Sequence, residues 1–130
     1  MGRRGRQNFA EERFYFVTTT VVKFIPIFSY DPFCDILIEN IKYYQKRYKY
    51  VTLCYVVMPT HIHWIVKTEP EYGTISDIMR DIKKLTAWKI FDIIEVEKMV
   101  KLKNIFMKEA EGIKDQKRKL WMKKFDDEVI

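Results

Sequence analysis

The two histidines of the sequence are separated by a single residue, in His61-Ile62-His63, directly after an apolar run and a Pro-Thr pair. On a β-strand, side chains at positions i and i+2 project from the same face, so both imidazoles would lie on one side and Ile62 on the other. Two neutral imidazoles placed side by side can bind a divalent metal ion. Two ligands are too few for a closed structural zinc site, so the metal would keep open coordination positions, as metals in catalytic sites do.

The alternative interpretation is a pair of strand-surface histidines that bind nothing. For an isolated His-x-His motif, this would be the better explanation. In this chain, however, both histidines stand together, immediately after a strand-like run and a turn. That placement favours a metal site formed by His61 and His63.

Three segments have the composition of β-strands. Residues 14–20 are rich in aromatic and β-branched side chains, and residues 50–58 form a nearly continuous apolar run. Pro59 and Thr60 interrupt that run, and residues 61–68 resume it as the strand that carries the histidines. Because the interruption is so short, we expect these last two strands to form an antiparallel hairpin.

Two helices are predicted from their first turns. Asp31 followed by Pro32 supplies an N-cap and a first-turn proline for a helix that runs to about Tyr48. Thr74 and Asp77 resemble a capping box that opens a second helix. The apolar face of this second helix comprises Ile75, Ile78, Met79, Ile82 and Leu85.

The rest of the chain has weaker patterns. Residues 92–117 are highly charged and predict an extended or broken helix, and residues 119–125 predict a short strand. The resulting order, strand-helix-strand-strand-helix with a late strand, indicates an α+β fold. We expect one domain over residues 1–130, a ferredoxin-like antiparallel sheet with helices packed mainly on one face. Within this domain, we expect residues 1–12 to form a basic, flexible arm.

The composition limits the possible environments and partners of the protein. A net charge of +6 and a pI of about 9.2 favour a polyanion such as nucleic acid as a partner. Cys34 and Cys54 are far apart in apolar surroundings and are predicted to be buried, reduced thiols. The sequence has neither an apolar run long enough to cross a membrane nor a signal-peptide core at its N-terminus, so we expect a cytoplasmic protein.

Four separated segments together resemble the single-tyrosine HUH transposases, in particular the REP-associated kind. Residues 56–66 are similar to the family's V-M-P-N-H-h-H-h-h-h signature, where h is apolar and Thr60 replaces the usual Asn. Arg3, Arg4 and Arg6 resemble the basic arm that precedes a Phe-h-Thr-Thr-Thr strand, here at residues 16–20. The other two are the helix segment at residues 75–87 and the tryptophan segment at residues 119–126, in which Met122 replaces the usual Gln.

The resemblance implies a reaction. In this family the two histidines hold Mg²⁺ or Mn²⁺ against the scissile phosphate, and a tyrosine attacks to form a 5′-phosphotyrosine link to single-stranded DNA. The family's tyrosine lies on a later helix, in a Tyr-Ile-His-x-Asn-Pro segment that this sequence does not contain. We therefore expect the nucleophilic tyrosine to be absent, with Tyr72 as the fallback candidate. The chain would then be a truncation, a degenerate copy or a fragment.

The resemblance also implies binding of a REP-type DNA hairpin with single-stranded flanks. The arm residues Arg3, Arg4 and Arg6 would read sequence, and the contacts to phosphates would come from Lys83, Lys84 and Lys89. Taken separately, each of these lysines is better explained as part of a solvated helix face. Two alternatives stay open: a non-cutting DNA-binding module derived from such a transposase, and an RNA-binding ferredoxin-like domain that binds no metal. The protein could be a monomer or a homodimer.

Overall fold

The computed structural model describes residues 13–123 and 126–129, so the arm with Arg3, Arg4 and Arg6 lies outside the described residues. Two short 3-10 turns, Val22–Phe24 and Ile27–Ser29, lie between the first strand and the first helix of the described residues. The strands and α-helices are β1 (Arg13–Thr20), α1 (Asp31–Tyr48), β2 (Val51–Met58), β3 (His61–Thr68), α2 (Ile75–Val96), α3 (Val100–Glu109) and β4 (Asp126–Val129). Among these residues, no helix is long and apolar enough to cross a membrane.

The four strands form one antiparallel sheet in the order β2-β3-β1-β4. The β2–β3 hairpin turns at Pro59 and Thr60, as the sequence predicts. β1 pairs with β3 on one side and with β4 on the other, and β3 pairs with β1 and with its hairpin partner β2. The two central strands are therefore β1 and β3. This order confirms the predicted α+β, ferredoxin-like arrangement.

The helices cover one face of the sheet and build the core there. Ile62, Trp64 and Val66 alternate along β3 with at most 2% of each side chain exposed, and Val17 of β1 lies beside them. Leu37 and Ile41 from α1, together with Met79 and Ile82 from α2, surround the same interior space. Trp64 also donates an Nε1 hydrogen bond to Thr52 Oγ1 at 3.0 Å. Burying each large apolar side chain contributes about 1.5–3 kcal/mol, so this face stabilises the fold.

The starts of the two long helices differ. The Thr74–Asp77 capping box is confirmed, because each side chain accepts a hydrogen bond from the other residue's backbone N–H. The prediction that Asp31 is an N-cap was wrong by one position: Asp31 is the first helical residue, and Tyr30 precedes it without a side-chain cap. Pro32 holds its expected place in the first turn, where its missing N–H costs no helical hydrogen bond.

Three further predictions are refined or corrected. The helical region at residues 92–117 is broken, because α2 ends at Val96 and α3 begins at Val100 after Lys98 adopts a positive φ of 54°. The strand expected at residues 119–125 was wrong. Within its described part, Trp121 makes one isolated bridge to Val21, and β4 begins only at Asp126. Cys54 is exposed rather than buried, because it lies on the edge strand β2.

Candidate metal centre and nucleic-acid surface

The two histidines lie at the start of β3, on the sheet face opposite Ile62 and the helices. In the register of the sheet, His61 is opposite Thr20 and His63 is opposite Thr18. Both imidazoles are half-buried. The same-face geometry expected from the spacing is therefore present, on the face that α1 and α2 do not cover.

Threonine hydroxyls fix the orientation of both rings. Thr60 Oγ1 lies 2.8 Å from His61 Nδ1, and Thr18 Oγ1 lies 2.9 Å from His63 Nδ1. When each Nδ1 carries the proton and donates it to its threonine, each Nε2 presents a lone pair. The two Nε2 atoms turn toward each other and are 3.2 Å apart, with the rings nearly perpendicular at 81°.

This arrangement fits a divalent metal ion. Two ligands in adjacent positions of an octahedral Mg²⁺ site, at about 2.1 Å from the ion, would be about 3.0 Å apart. The 3.2 Å between the Nε2 atoms is close to that separation. Among the side chains that the structure describes, those of residues 13–123, no group of three or more His, Cys, Asp or Glu could hold a metal. The pair therefore offers two donors and leaves the other coordination positions to water or substrate.

Apolar side chains from the two neighbouring strands flank the histidine pair. Phe16 of β1 stacks on His63, with the ring centroids 5.5 Å apart and the planes at 18°. From β2, Val56 is the register partner of His63 and Met58 is the partner of His61, and both side chains are exposed. Because Phe16 limits rotation of the His63 ring, it supports the orientation that Thr18 sets.

All eight tyrosines of the sequence lie within the described residues, so each can be compared with the position of a nucleophile. Tyr15 is the register partner of Val66 and Tyr55 that of Trp64, which puts both on the helix-covered face. The hydroxyls of Tyr48 and Tyr50 donate to Asp81 Oδ2 and to the Ile41 carbonyl, and burial raises the pKa of both phenols. The remaining ones are Tyr30, Tyr43 and Tyr44, at the start of α1 or on it, and Tyr72.

Tyr72, the fallback nucleophile, lies in the turn after β3. It follows Thr68, the end of the strand away from His61. At about 3.3 Å per residue, β3 alone extends roughly 16 Å from His63 to Thr68. Tyr72 therefore stands at the opposite end of β3 from the histidine pair.

The predicted DNA-contacting lysines separate into two places. Lys83 and Lys84 line an open groove between α2 and the segment at residues 112–123. Lys83 Nζ donates to the Met122 carbonyl at 3.3 Å, and burial, together with the charge of Lys119, lowers its pKa. Lys89 instead donates to Asn40 Oδ1 at 3.4 Å, toward α1. Lys83 and Lys84 therefore lie in the groove, whereas Lys89 lies at the contact between α1 and α2.

Sequence reasoning did not find several of the residues around these sites. The hydroxyls of Thr18 and Thr60 became candidates only through their contacts with the imidazoles, although the Thr-Thr-Thr run and the Thr-His pair were visible signals. The aromatic ring of Trp88 and the basic run at residues 117–119 also join the groove, on segments about 30 residues apart.

One family model matches the chain over most of its length. The model of the family described as "Transposase IS200 like" matches residues 26–110, which is more than half of the sequence and includes both histidines. The chain therefore belongs to the IS200-like transposase family. No protein in the curated sequence comparison matches it.

Two solved structures share the fold. A REP-associated tyrosine transposase bound to a REP hairpin is 18% identical, with a TM-score of 0.60, and the match covers 91% of this chain and 56% of that one. A candidate transposase from Deinococcus radiodurans R1 is 15% identical, with a TM-score of 0.64. That match covers 100% of this chain and 85% of the Deinococcus chain. The chain thus spans little more than half the length of the REP-associated relative.

Proposed function

We propose that this domain binds a DNA hairpin with single-stranded flanks and holds Mg²⁺ or Mn²⁺ at His61 and His63. The observation that carries the proposal is the convergence of the two Nε2 atoms, each ring fixed from behind by a threonine. Support for the DNA partner comes from the basic charge of +6 and from the REP hairpin bound to one structural relative.

Each residue of the site would have one role in metal binding. His61 and His63 would hold the metal, Thr18 and Thr60 would keep the ring nitrogens oriented, and Phe16 would pack against one ring. When bound, the metal would act as a Lewis acid on a phosphoryl oxygen. In the family reaction, a tyrosine oxygen attacks the phosphorus, the 3′ oxygen leaves, and a 5′-phosphotyrosine link stores the bond energy for rejoining.

The nucleophile of that reaction would not be any of the eight tyrosines in this chain. None of these phenols has a place on the open face beside the histidines within the described residues, and Tyr72 lies at the far end of β3. This favours the second candidate function, a DNA-binding module that grips a hairpin without cutting it.

The test uses a labelled DNA hairpin with single-stranded flanks, incubated with the purified chain and Mn²⁺. A native gel should show a complex, and a denaturing gel should show no protein–DNA adduct, because none of the eight tyrosines of this chain lies beside the histidine pair. A covalent band would contradict the non-cutting assignment, and its loss in Tyr72→Phe would locate the nucleophile. An RNA-binding domain would instead bind no Mn²⁺ and prefer RNA.

The basic arm is proposed to read DNA sequence beside the hairpin. Replacing Arg3, Arg4 and Arg6 by Gln should lower the slope of log affinity against log salt by roughly 0.7–0.9 for each phosphate interaction that the substitutions remove. A loss of affinity confined to one DNA sequence would instead indicate base contacts in a groove. Unchanged affinity and slope would remove the arm from the interface.

A further inference from the structure

The groove between α2 and the segment at residues 112–123 has a strong excess of positive charge. Among the described residues that line it, six are basic and Asp115 is the acidic one. The basic residues are Lys83, Lys84, Lys117, Arg118, Lys119 and Lys123. Such a concentration of one sign in a concave surface attracts a polyanion more strongly than the same charges scattered over the molecule.

Two of these cations, Lys83 and Lys119, are close enough for their charges to repel each other. Lys83 is partly buried beside the Met122 carbonyl, and burial together with the Lys119 charge lowers its pKa. A neighbouring phosphate would offset both effects, because it would compensate the buried charge and the repulsion. Arg118 lines the groove and makes two contacts of its own. Its guanidinium lies 4.7 Å from the centre of the Phe91 ring and 3.3 Å from Glu95 Oε1.

Trp88 gives the groove an aromatic surface. Its side chain is 59% exposed, whereas Trp64 and Trp121 are buried. Lys84 Nζ lies 5.0 Å from the centre of its ring. An exposed indole beside lysines is the combination that binds single strands, because a free base stacks on the ring while cations follow the phosphates.

The groove is connected to the histidine end of the sheet. Met122 N–H donates to the Thr20 carbonyl at 2.8 Å, and Trp121 bridges Val21. Val21 N–H in turn donates to the Thr60 carbonyl, next to His61. A strand that leaves the groove past Met122 would therefore reach the end of β3 that carries the histidines.

We propose that this groove binds the unpaired DNA strand that flanks the hairpin, with one base stacked on Trp88 and phosphates held by Lys84, Lys117 and Lys119. The inference rests on the proposed DNA-binding function and adds the path of the single strand. Paired bases inside a duplex are stacked on both sides, so the exposed ring favours an unpaired strand over a second duplex.

The first experiment compares a hairpin carrying an oligothymidylate tail with the same hairpin without the tail. Trp88→Ala should weaken binding of the tailed hairpin roughly tenfold or more and leave the blunt hairpin unaffected. Trp88→Phe, which keeps a smaller ring, should recover part of the affinity. The matched control is Tyr43→Ala, which removes an aromatic ring of similar exposure, 63%, from α1 and should change neither affinity.

A second readout observes the stacking directly. Because Trp88 is the exposed tryptophan, oligothymidylate alone should quench the fluorescence of the parent protein, and the quenching should disappear in Trp88→Phe. Lys84→Gln with Lys119→Gln should reduce the salt slope of tail binding by about 1.4. Lys42→Gln with Lys46→Gln, two exposed lysines on α1, is the charge-matched control.

The outcomes separate the two proposals. Tight binding of the blunt hairpin, with no contribution from the tail or Trp88, would overturn the groove inference and leave the proposed function standing. No binding of either hairpin would overturn both. Stronger quenching by an RNA strand of matching sequence than by DNA would make RNA the occupant and contradict the inference.

Discussion

The two faces of β3 use alternate residues of one strand for different purposes. Ile62, Trp64 and Val66 point into the helix-covered core and are almost completely buried, whereas His61 and His63 point to the open face and are half-buried. On the covered face the packing of these apolar side chains stabilises the fold, whereas the open face presents polar nitrogens whose orientation depends on threonine hydroxyls. The difference indicates that stability and metal binding can be changed separately, although their residues are adjacent in sequence.

The largest effect on the covered face should come from Trp64→Ala. It removes a fully buried side chain and its hydrogen bond to Thr52, so the free energy of unfolding should fall by about 3–5 kcal/mol. Urea unfolding followed by circular dichroism measures this. A decrease below about 1 kcal/mol would mean that the covered face is not the main source of stability.

On the open face, Thr18→Val should separate orientation of the metal site from stability. It keeps the side-chain shape but removes the hydroxyl beside His63 Nδ1, so Mn²⁺ affinity should fall about 10- to 100-fold. Thr18→Ser should retain most of the affinity, since it keeps the hydroxyl. Calorimetric titration makes the comparison.

The control for Thr18→Val is Thr20→Val, on the same strand and face, where the register partner is His61. It should leave Mn²⁺ affinity unchanged. Equal decreases in the two variants would show that the strand surface, and not the Thr18 hydroxyl, controls binding.

A smaller effect is expected in the helix layer behind the covered face, where Tyr48 donates to Asp81. Burial raises the pKa of Asp81, but hydrogen bonds from Tyr48 and Arg80 and the charges of Arg80 and Arg47 outweigh it, so the pKa is lowered overall. A carboxylate with a lowered folded-state pKa stabilises the fold above its unfolded pKa, and this contribution is lost as pH falls through the folded pKa.

Asp81→Asn should therefore reduce stability at neutral pH by less than about 1 kcal/mol and flatten its acid dependence below about pH 4. Unfolding curves measured between pH 7 and acid conditions test the sign. A variant that loses stability equally at every pH would show that the Asp81 charge is not the cause. Mn²⁺ binding on the other face of the sheet should not change.

Local patterns were enough to predict much of the fold. The alternation in β3, the short Pro59-Thr60 turn and the Thr74–Asp77 box each depend on neighbours within a few residues, and the structure contains all three. The late strand was misplaced because residues 119–123 are held by single contacts to distant segments. Among these are the Lys119 bond to the Phe106 carbonyl and the Met122 bond to the Thr20 carbonyl.

For the candidate site too, local spacing was predictable from the sequence and contacts between distant segments were not. The His61–His63 pair follows from spacing, but its link to Thr18 joins residues 45 positions apart and depends on the β1–β3 register. Trp88 enters the groove only because the chain returns to α2 after α3. Such contacts come from packing between elements, which a pattern in one segment does not contain.

The most direct test of the account is a Mn²⁺ titration of the parent protein and of the His61→Ala, His63→Ala double variant, followed by calorimetry. We expect weak binding of one ion to the parent, since two protein donors leave the remaining positions hydrated, and no binding to the double variant. Both proteins should unfold at similar urea concentrations, because the histidines lie outside the core. Equal Mn²⁺ binding by the two proteins would contradict the assignment of the metal site.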